Sequence, residues 1–299
     1  MKQGKYIAKP FVKWVGGKTR LIDSIEQELP LKLKEGTEFV YVEPFVGGGA
    51  VLFWILQKYP NVKHAIINDI NPDLINAYSV VKFFPHELIS VLKQIEEIYK
   101  TKSESERKQY YLQQRDRFNS KELEPVESAA VFIFLNRTCF NGLYRVNSRG
   151  DFNVPFGRYT NPTICDAETI WADSQLLQRV TIFCGDFKNT LKYNTPQTFF
   201  YLDPPYKPIS PTSAFTAYTK EGFGDREQYQ LCEFCNKIVA GGGCFVLSNS
   251  DATTEDGKQS FFEKIYTNFS IRRVGVMRSI NAKAETRGVL NEVLITHNY

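Results

Sequence analysis

No stretch of this 299-residue sequence is apolar enough to cross a bilayer. Its longest uninterrupted apolar run, Ala129 to Leu135, equalled only by Ala50 to Leu56, falls far short of the roughly 20 residues that a spanning helix needs. The opening residues, Met1 to Pro10, lack the apolar stretch of a secretory signal, so a soluble, cytoplasmic protein with no membrane partner is expected. Cysteine is sparse: six are scattered through apolar contexts, which suits reduced thiols and not a disulfide frame. Cys232 and Cys235 form a CxxC at helical spacing with no second Cys or His pair nearby, so core packing is expected there and a metal site is not. The three histidines, His64, His86 and His297, show no ligand spacing. Two phosphate-binding signatures are also missing. Gly16-Gly17-Lys18-Thr19 resembles the end of a P-loop, but Val12 stands where the motif needs glycine, and Gly47-Gly48-Gly49 is not G-x-G-x-x-G. Net charge is only +4, a weak argument for a polyanionic partner until its location is read. Between Arg107 and Tyr159 lie nine lysines and arginines against five acids, so the whole formal excess falls in one segment.

What is present centres on Phe199-Phe-Tyr-Leu-Asp-Pro-Pro-Tyr206. The apolar, aromatic run predicts a buried strand, and Pro204 and Pro205 have no N–H with which to continue a ladder, so the strand stops at Asp203. A carboxylate at the C-terminal edge of a strand in an α/β sheet stands where ligands bind. Asp203 and a freed main-chain carbonyl can accept both hydrogens of an exocyclic amine while Tyr206 stacks on the ring. A Pro-Pro turn that merely closes a strand would carry the same residues, so the reading needs a second, matching site.

That site is predicted near the start. Phe39 to Glu43 reads as a strand, Pro44-Phe45-Val46-Gly47-Gly48-Gly49 as a glycine turn, and Ala50 to about Tyr59 as a helix, the opening of a nucleotide-binding α/β domain. A second strand, His64 to Asn68, ends at Asp69, the position that holds ribose hydroxyls in such folds. Glu43 beside the turn disfavours a pyrophosphate and suits a cofactor carrying positive charge, for which S-adenosylmethionine fits better than NAD. Before this, Lys13-Trp14-Val15-Gly16-Gly17-Lys18 leads into an amphipathic segment, Thr19 to Leu29, and could receive an anionic group such as a carboxylate. Helices are predicted over Pro72 to Phe83, Pro85 to Lys100, Glu104 to Phe118 and Pro125 to Asn136, three of them behind a helix-starting proline. They read as an inserted helical subdomain. Tyr144 to Asn147 and Phe152 to Val154 then predict a β-hairpin that sets arginines and asparagines among aromatics, the side chains that read and wedge into DNA bases. After a helix near Asp166 to Gln178, Val180 to Cys184 is a strand before Asp186 and Phe187, which can bond and stack on a cofactor adenine. Lys207 to Gly224 reads as a mobile loop, Arg226 to Val239 as a helix, and Cys244 to Ser248, Phe269 to Val276 and Val289 to Thr296 as strands. A basic connection with Arg278, Lys283 and Arg287 joins the last two.

In this order, Lys13-Trp-Val-Gly-Gly-Lys18, Glu43-Pro-Phe-Val-Gly-Gly-Gly49, Asn68-Asp69, Asn136 to Tyr159, Gly185-Asp-Phe187, Asp203-Pro-Pro-Tyr206 and Arg278-Ser-Ile-Asn281 resemble the Dam-like (D12 class, alpha group) adenine-N6 DNA methyltransferases. The resemblance covers nearly the whole chain. It implies a Rossmann-like, seven-stranded methyltransferase sheet with a reversed last strand, formed by 1–71 and 180–299, with 72–179 as the target-recognition subdomain. It also implies S-adenosylmethionine as donor and a flipped adenine in double-stranded DNA as acceptor. Trp14, Lys18, Asp69, Asp186, Phe187 and Asp203 look like cofactor contacts, joined by Glu43, Phe45, Gly47 and Gly49 of the glycine turn. Asp203, Pro204, Pro205 and Tyr206 are the expected catalytic residues. Lys13, Phe140, Asn141, Leu143, Arg145, Pro155 and Arg158 match positions that contact or wedge into the target in GATC-specific members, and Arg137 is expected beside them. GATC is therefore the expected target, a monomer the expected form, and a cognate restriction endonuclease at the same locus a partner the family allows. A methyltransferase acting on another adenine sequence, on RNA or on protein glutamine, and a non-catalytic DNA-binding module, are the alternatives that residues alone leave open.

Overall fold

In the computed structural model, residues 8–207, 223–253, 260–277 and 289–297 are described. Most of the predicted loop Lys207 to Gly224, and the connection with Arg278, Asn281, Lys283 and Arg287, lie outside them. The strands are β1 (Phe39–Glu43), β2 (Val62–Asp69), β3 (Val180–Cys184), β4 (Thr198–Leu202), β5 (Cys244–Ser250), β6 (Ser270–Met277) and β7 (Val289–Thr296). They form one mixed sheet in the order β3-β2-β1-β4-β5-β7-β6. The last strand in sequence, β7, runs antiparallel to both neighbours, β5 and β6. The expected seven-stranded sheet with a reversed last strand is thus present.

By packing, the chain divides into two units: Met1–Gly17, Val46–Pro60 and Ile67–Asp186, and Lys18–Phe45, Asn61–Ile66 and Phe187–Tyr299. In the second unit, β1, β4 and β5 are parallel, with Tyr41 opposite Phe199 and Phe200 opposite Phe245. Every residue of β4 is buried. A parallel strand covered on both faces must be apolar throughout, which is why Thr198–Leu202 shows no polar alternation. The predicted Thr19–Leu29 helix is broken, into a 3₁₀ turn (Lys18–Arg20) and α1 (Ile22–Gln27). Pro30 stands at the N-cap of a further short helix, α2 (Leu31–Lys34). The apolar spacing that suggested one helix is real: Leu21, Ile25, Leu29 and Leu33 are all buried. The unit also contains α9 (Asp225–Ala240) and α10 (Phe261–Ile265).

In the first unit, α3 (Ala50–Lys58) follows the glycine turn. The predicted helices appear as α4 (Pro72–Phe83), α5 (Pro85–Lys100), α6 (Glu104–Asn119), α7 (Pro125–Thr138) and α8 (Ala167–Leu177). Pro72, Pro85 and Pro125 occupy first-turn positions, where a missing N–H costs no hydrogen bond. Helix α7 packs against α4, α5 and α6, and Ala129 through Leu135 are all buried in it. Burial of each large apolar side chain there contributes roughly 1.5–3 kcal/mol, so this apolar run is the centre of the helical packing.

The predicted hairpin needs correction. Its arms meet in one antiparallel bridge, Val146 with Phe152, where the Asn147 N–H donates to the Asp151 carbonyl and the Asn153 N–H to the Arg145 carbonyl, instead of in two regular strands; a further bridge joins Cys139 and Phe156. The turn is closed by the Asn147 side chain, whose Oδ1 accepts from the N–H groups of Arg149 and Asp151. The outer side of the second arm is met by α6: Asn119 accepts from the Phe152 N–H and donates to its carbonyl. Those backbone groups are satisfied without a ladder.

Candidate active site

In the second unit, Asp203 is the first residue beyond β4. Its Oδ1 pairs with Lys18 Nζ at 2.8 Å and accepts from Ser248 Oγ at 3.1 Å. The Ser248 hydroxyl is itself in hydrogen-bond contact with the Tyr201 hydroxyl, 3.0 Å away. Burial pushes the Asp203 carboxyl above the usual carboxylate range, with the Lys18 charge and the two hydrogen bonds opposing it. Lys18 is buried, and its ammonium also lies 4.5 Å from the centre of the Tyr206 ring. Tyr206 donates its hydroxyl proton to Glu292 Oε2 on β7 at 2.6 Å. Burial, Asp203 and Glu292 all hold that hydroxyl protonated. The two prolines are fixed from behind: Gln228 of α9 donates to the Pro205 carbonyl, and Asn249, which donates to Gln228, accepts from the Lys207 N–H.

At the end of β1, Glu43 is buried and accepts the Tyr41 hydroxyl proton at 2.7 Å. Phe45 follows with its ring 5.1 Å from Phe187, and Phe223 meets both. These three rings form an aromatic group suited to a flat heterocycle.

In the first unit, the glycine turn and Asp69 are locked together. Asp69 Oδ2 accepts from the Gly47 N–H at 3.1 Å and Oδ1 from the Asn71 N–H at 3.0 Å. Burial raises the Asp69 carboxyl, and these backbone donors oppose the rise. Gly47 and Gly49 have φ of 46° and 72°. A β-carbon on Gly47 would stand 2.8 Å from Trp14 Cδ1, so Trp14 lies directly against the turn. Asp186 is exposed just beyond Gly185, whose N–H donates to the Asp69 carbonyl.

The expected DNA contacts of this unit are mostly at the surface. Phe140 is 52% exposed at the start of a 3₁₀ turn, Phe140–Gly142, and Asn141 has φ of 55°. The Phe140 N–H is held by the Pro155 carbonyl at 2.8 Å. Leu143 is half-buried; Pro155, Arg145 and Arg158 are exposed. Arg145 is oriented by Asn153, which accepts from its Nε through Oδ1 at 2.7 Å and from Nη2 through the carbonyl. Arg158 lies 4.0 Å from Glu104. Lys13 and Arg137 line a cleft of about 420 Å³ with Tyr159 and residues 160–163. The Lys13 ammonium stands over the Tyr159 ring, and Arg137 Nη2 donates to the Phe11 carbonyl. Burial lowers the pKa of both cations.

Sequence reasoning missed the supports. Ser248, Asn249 and Ser250 form a polar trio at the C-terminal end of the otherwise apolar β5, a pattern that could have flagged the edge. Glu292 gave no local signal. Asn136 is buried and supports the backbone of two segments: its amide accepts from the Lys13 N–H and donates to the Lys13 and Gly142 carbonyls.

The model of D12 class N6 adenine-specific DNA methyltransferases matches residues 14–280. The chain belongs to this family. The enzyme is 47% identical to the type II methyltransferase M.MjaIII of Methanocaldococcus jannaschii over 93% of its own length and 95% of the relative's. It is 34% identical to the DNA adenine methylase of Haemophilus influenzae, over 96% and 92% of the two chains. It is 33% identical to that of Escherichia coli K12, over 96% and 94%. The family makes DNA the substrate of this methyltransferase and implies S-adenosylmethionine as its donor. Among the described residues no helix is long and apolar enough to cross a membrane, and no group of three or more His, Cys, Asp or Glu is placed to hold a metal. All six thiols are unpaired, with Cys232 and Cys235 buried on α9.

Proposed function

We propose that the enzyme methylates N6 of an adenine flipped out of a GATC site in double-stranded DNA. The observation that carries the reading is the Lys18–Asp203–Ser248 cluster beside the Tyr206 ring: a buried carboxylate and an aromatic face at one strand end. S-adenosylmethionine, when bound, supplies an electrophilic methyl group. Asp69 suits its ribose, because a carboxylate offers about four lone-pair sites and the backbone donors of Gly47, Ile70 and Asn71 leave acceptor capacity. Lys18 suits its carboxylate, Glu43 its positive charge, and Trp14, Gly47, Gly49, Phe45, Asp186 and Phe187 the remainder. Asp203 and the Pro204 carbonyl accept the two adenine amine hydrogens. The nitrogen, whose lone pair is otherwise delocalised into the ring, is then favoured in a pyramidal form directed at the methyl, and catalysis is positioning and electrostatics. Tyr206, set by Pro204 and Pro205, replaces the stacking that the base loses.

The exposed Phe140 on its fixed corner suits a wedge, with Asn141, Leu143 and Pro155 beside it, while Arg145, Arg158, Lys13 and Arg137 suit guanine edges and phosphates. We assign target recognition to 72–179 and cofactor binding and catalysis to 1–71 and 180–299, a monomer as the working form, and a type II system with a cognate endonuclease as the setting. The type II relative of Methanocaldococcus jannaschii supports the last of these. Purified enzyme with labelled S-adenosylmethionine should label GATC-containing duplexes, and Asp203→Ala should abolish labelling. Equal labelling of duplexes without GATC would overturn the target. Arg145→Ala should relax discrimination between GATC and one-base variants, while calorimetry with cofactor alone gives an unchanged affinity.

A further inference from the structure

Tyr144 belongs to a closed circuit of contacts in the first unit. Its ring stacks on Trp14, with centroids 5.6 Å apart and planes at 26°. Trp14 in turn fills the space that a β-carbon on Gly47 would need. From Gly47 the circuit runs through its N–H to Asp69 Oδ2, then from Asp69 Oδ1 to the Asn71 N–H. Asn71 caps α4, its Oδ1 accepting from the Asp73 N–H at 3.0 Å. Asp73 closes the circuit by accepting the Tyr144 hydroxyl proton at 3.0 Å. Phe132 and Phe152 hold the ring on its other sides. The next residue is Arg145.

We propose that Tyr144 is a positioning residue that couples the cofactor site to sequence reading. The inference rests on the cofactor and DNA assignments proposed above. Both ends of the Tyr144 side chain are fastened to groups assigned to the cofactor: the ring to the glycine turn through Trp14, the hydroxyl to the ribose carboxylate through Asp73 and Asn71. Its backbone leads directly into Arg145. A ligand that fixes Gly47 and Asp69 therefore fixes the backbone that carries the reading arginine. Linkage makes the effect reciprocal: DNA held by Arg145 tightens the cofactor site by the same factor.

The test is a set of four affinities for the full-length enzyme: a GATC duplex and a one-base variant duplex, each with and without saturating S-adenosylhomocysteine. For wild type, the cofactor product should tighten the GATC duplex by a factor between about 5 and 150, and the variant duplex by less. Tyr144→Phe keeps the ring and loses the Asp73 bond, and should reduce that factor by about threefold or more. Tyr144→Leu should bring it to within about twofold of unity, while product affinity without DNA changes less than about threefold. A residue that only stabilised the fold would weaken all four affinities and leave the ratio intact. Two variants that both keep the wild-type ratio overturn the proposal, as does a wild-type ratio of one. Wild type that binds no cofactor product, or no DNA, instead overturns the function reading and the inference with it.

Discussion

The Tyr206 hydroxyl and Glu292 are 86 positions apart in sequence and 2.6 Å apart in space. A phenol needs no partner to stack, so the bond serves orientation: it fixes the ring plane beside Asp203, and the carboxylate does so as a charged acceptor. Such bonds contribute about 1.5–3 kcal/mol, and each 1.36 kcal/mol of transition-state energy is a factor of ten in rate. Tyr206→Phe and Glu292→Ala should each lower kcat by about tenfold, and the double variant should be no slower than either, because both remove the same constraint. Glu292→Gln keeps an acceptor and should retain most activity. Single-turnover rates measure this directly. Effects that multiply in the double variant would mean that Glu292 acts elsewhere.

Among elements, the turn between β1 and α3 shows how a local choice sets a site. Gly49 caps α3 at φ 72°, and a β-carbon there would collide with the Tyr78 hydroxyl, which donates to the Gly47 carbonyl at 3.0 Å. Gly49→Ala should therefore cost about 1–3 kcal/mol from the left-handed backbone alone and displace Tyr78 from the turn. Denaturant unfolding should show the loss, and calorimetry should show a cofactor affinity weakened by more than that of a variant at an exposed position. This element was legible in the sequence, since strand, glycines and helix follow in 20 residues (39–58) and each has its own pattern. So were β4, through its unbroken apolar run, and α4, α5 and α7, through their first-turn prolines. Other features depend on partners distant in sequence. Beyond the Val146–Phe152 bridge the hairpin arms do not pair, the outward N–H and carbonyl of Phe152 are met by Asn119 of α6, and the Asn136 amide is satisfied by Lys13 and Gly142. Pattern reports which face a residue takes, not which remote polar group awaits it.

For the whole molecule, stability depends on buried titratable groups as well as buried carbon. Asp173 on α8 is fully buried, and its Oδ1 accepts from the Lys9 N–H at 3.1 Å. Its Oδ2 has no partner among the described residues. Burial pushes the carboxyl up to about 9, with Asp166 adding to the rise and Lys9 and Arg137 offsetting part of it. In the unfolded chain the same group titrates at about 3.9. Between these values the folded form holds a proton that the unfolded form has released. The proton count then favours the native state at low pH, and stability falls as pH rises from about 4 through about 9, where the native carboxyl finally ionises. Asp173→Asn keeps an acceptor for the Lys9 N–H and has no proton to lose. The Tm of the variant should therefore rise relative to wild type as pH increases from 5 to 7 to 9, with the smallest difference at the acid end. A difference that stays constant across that range would mean that Asp173 is ionised throughout, paired with Arg137 rather than protonated.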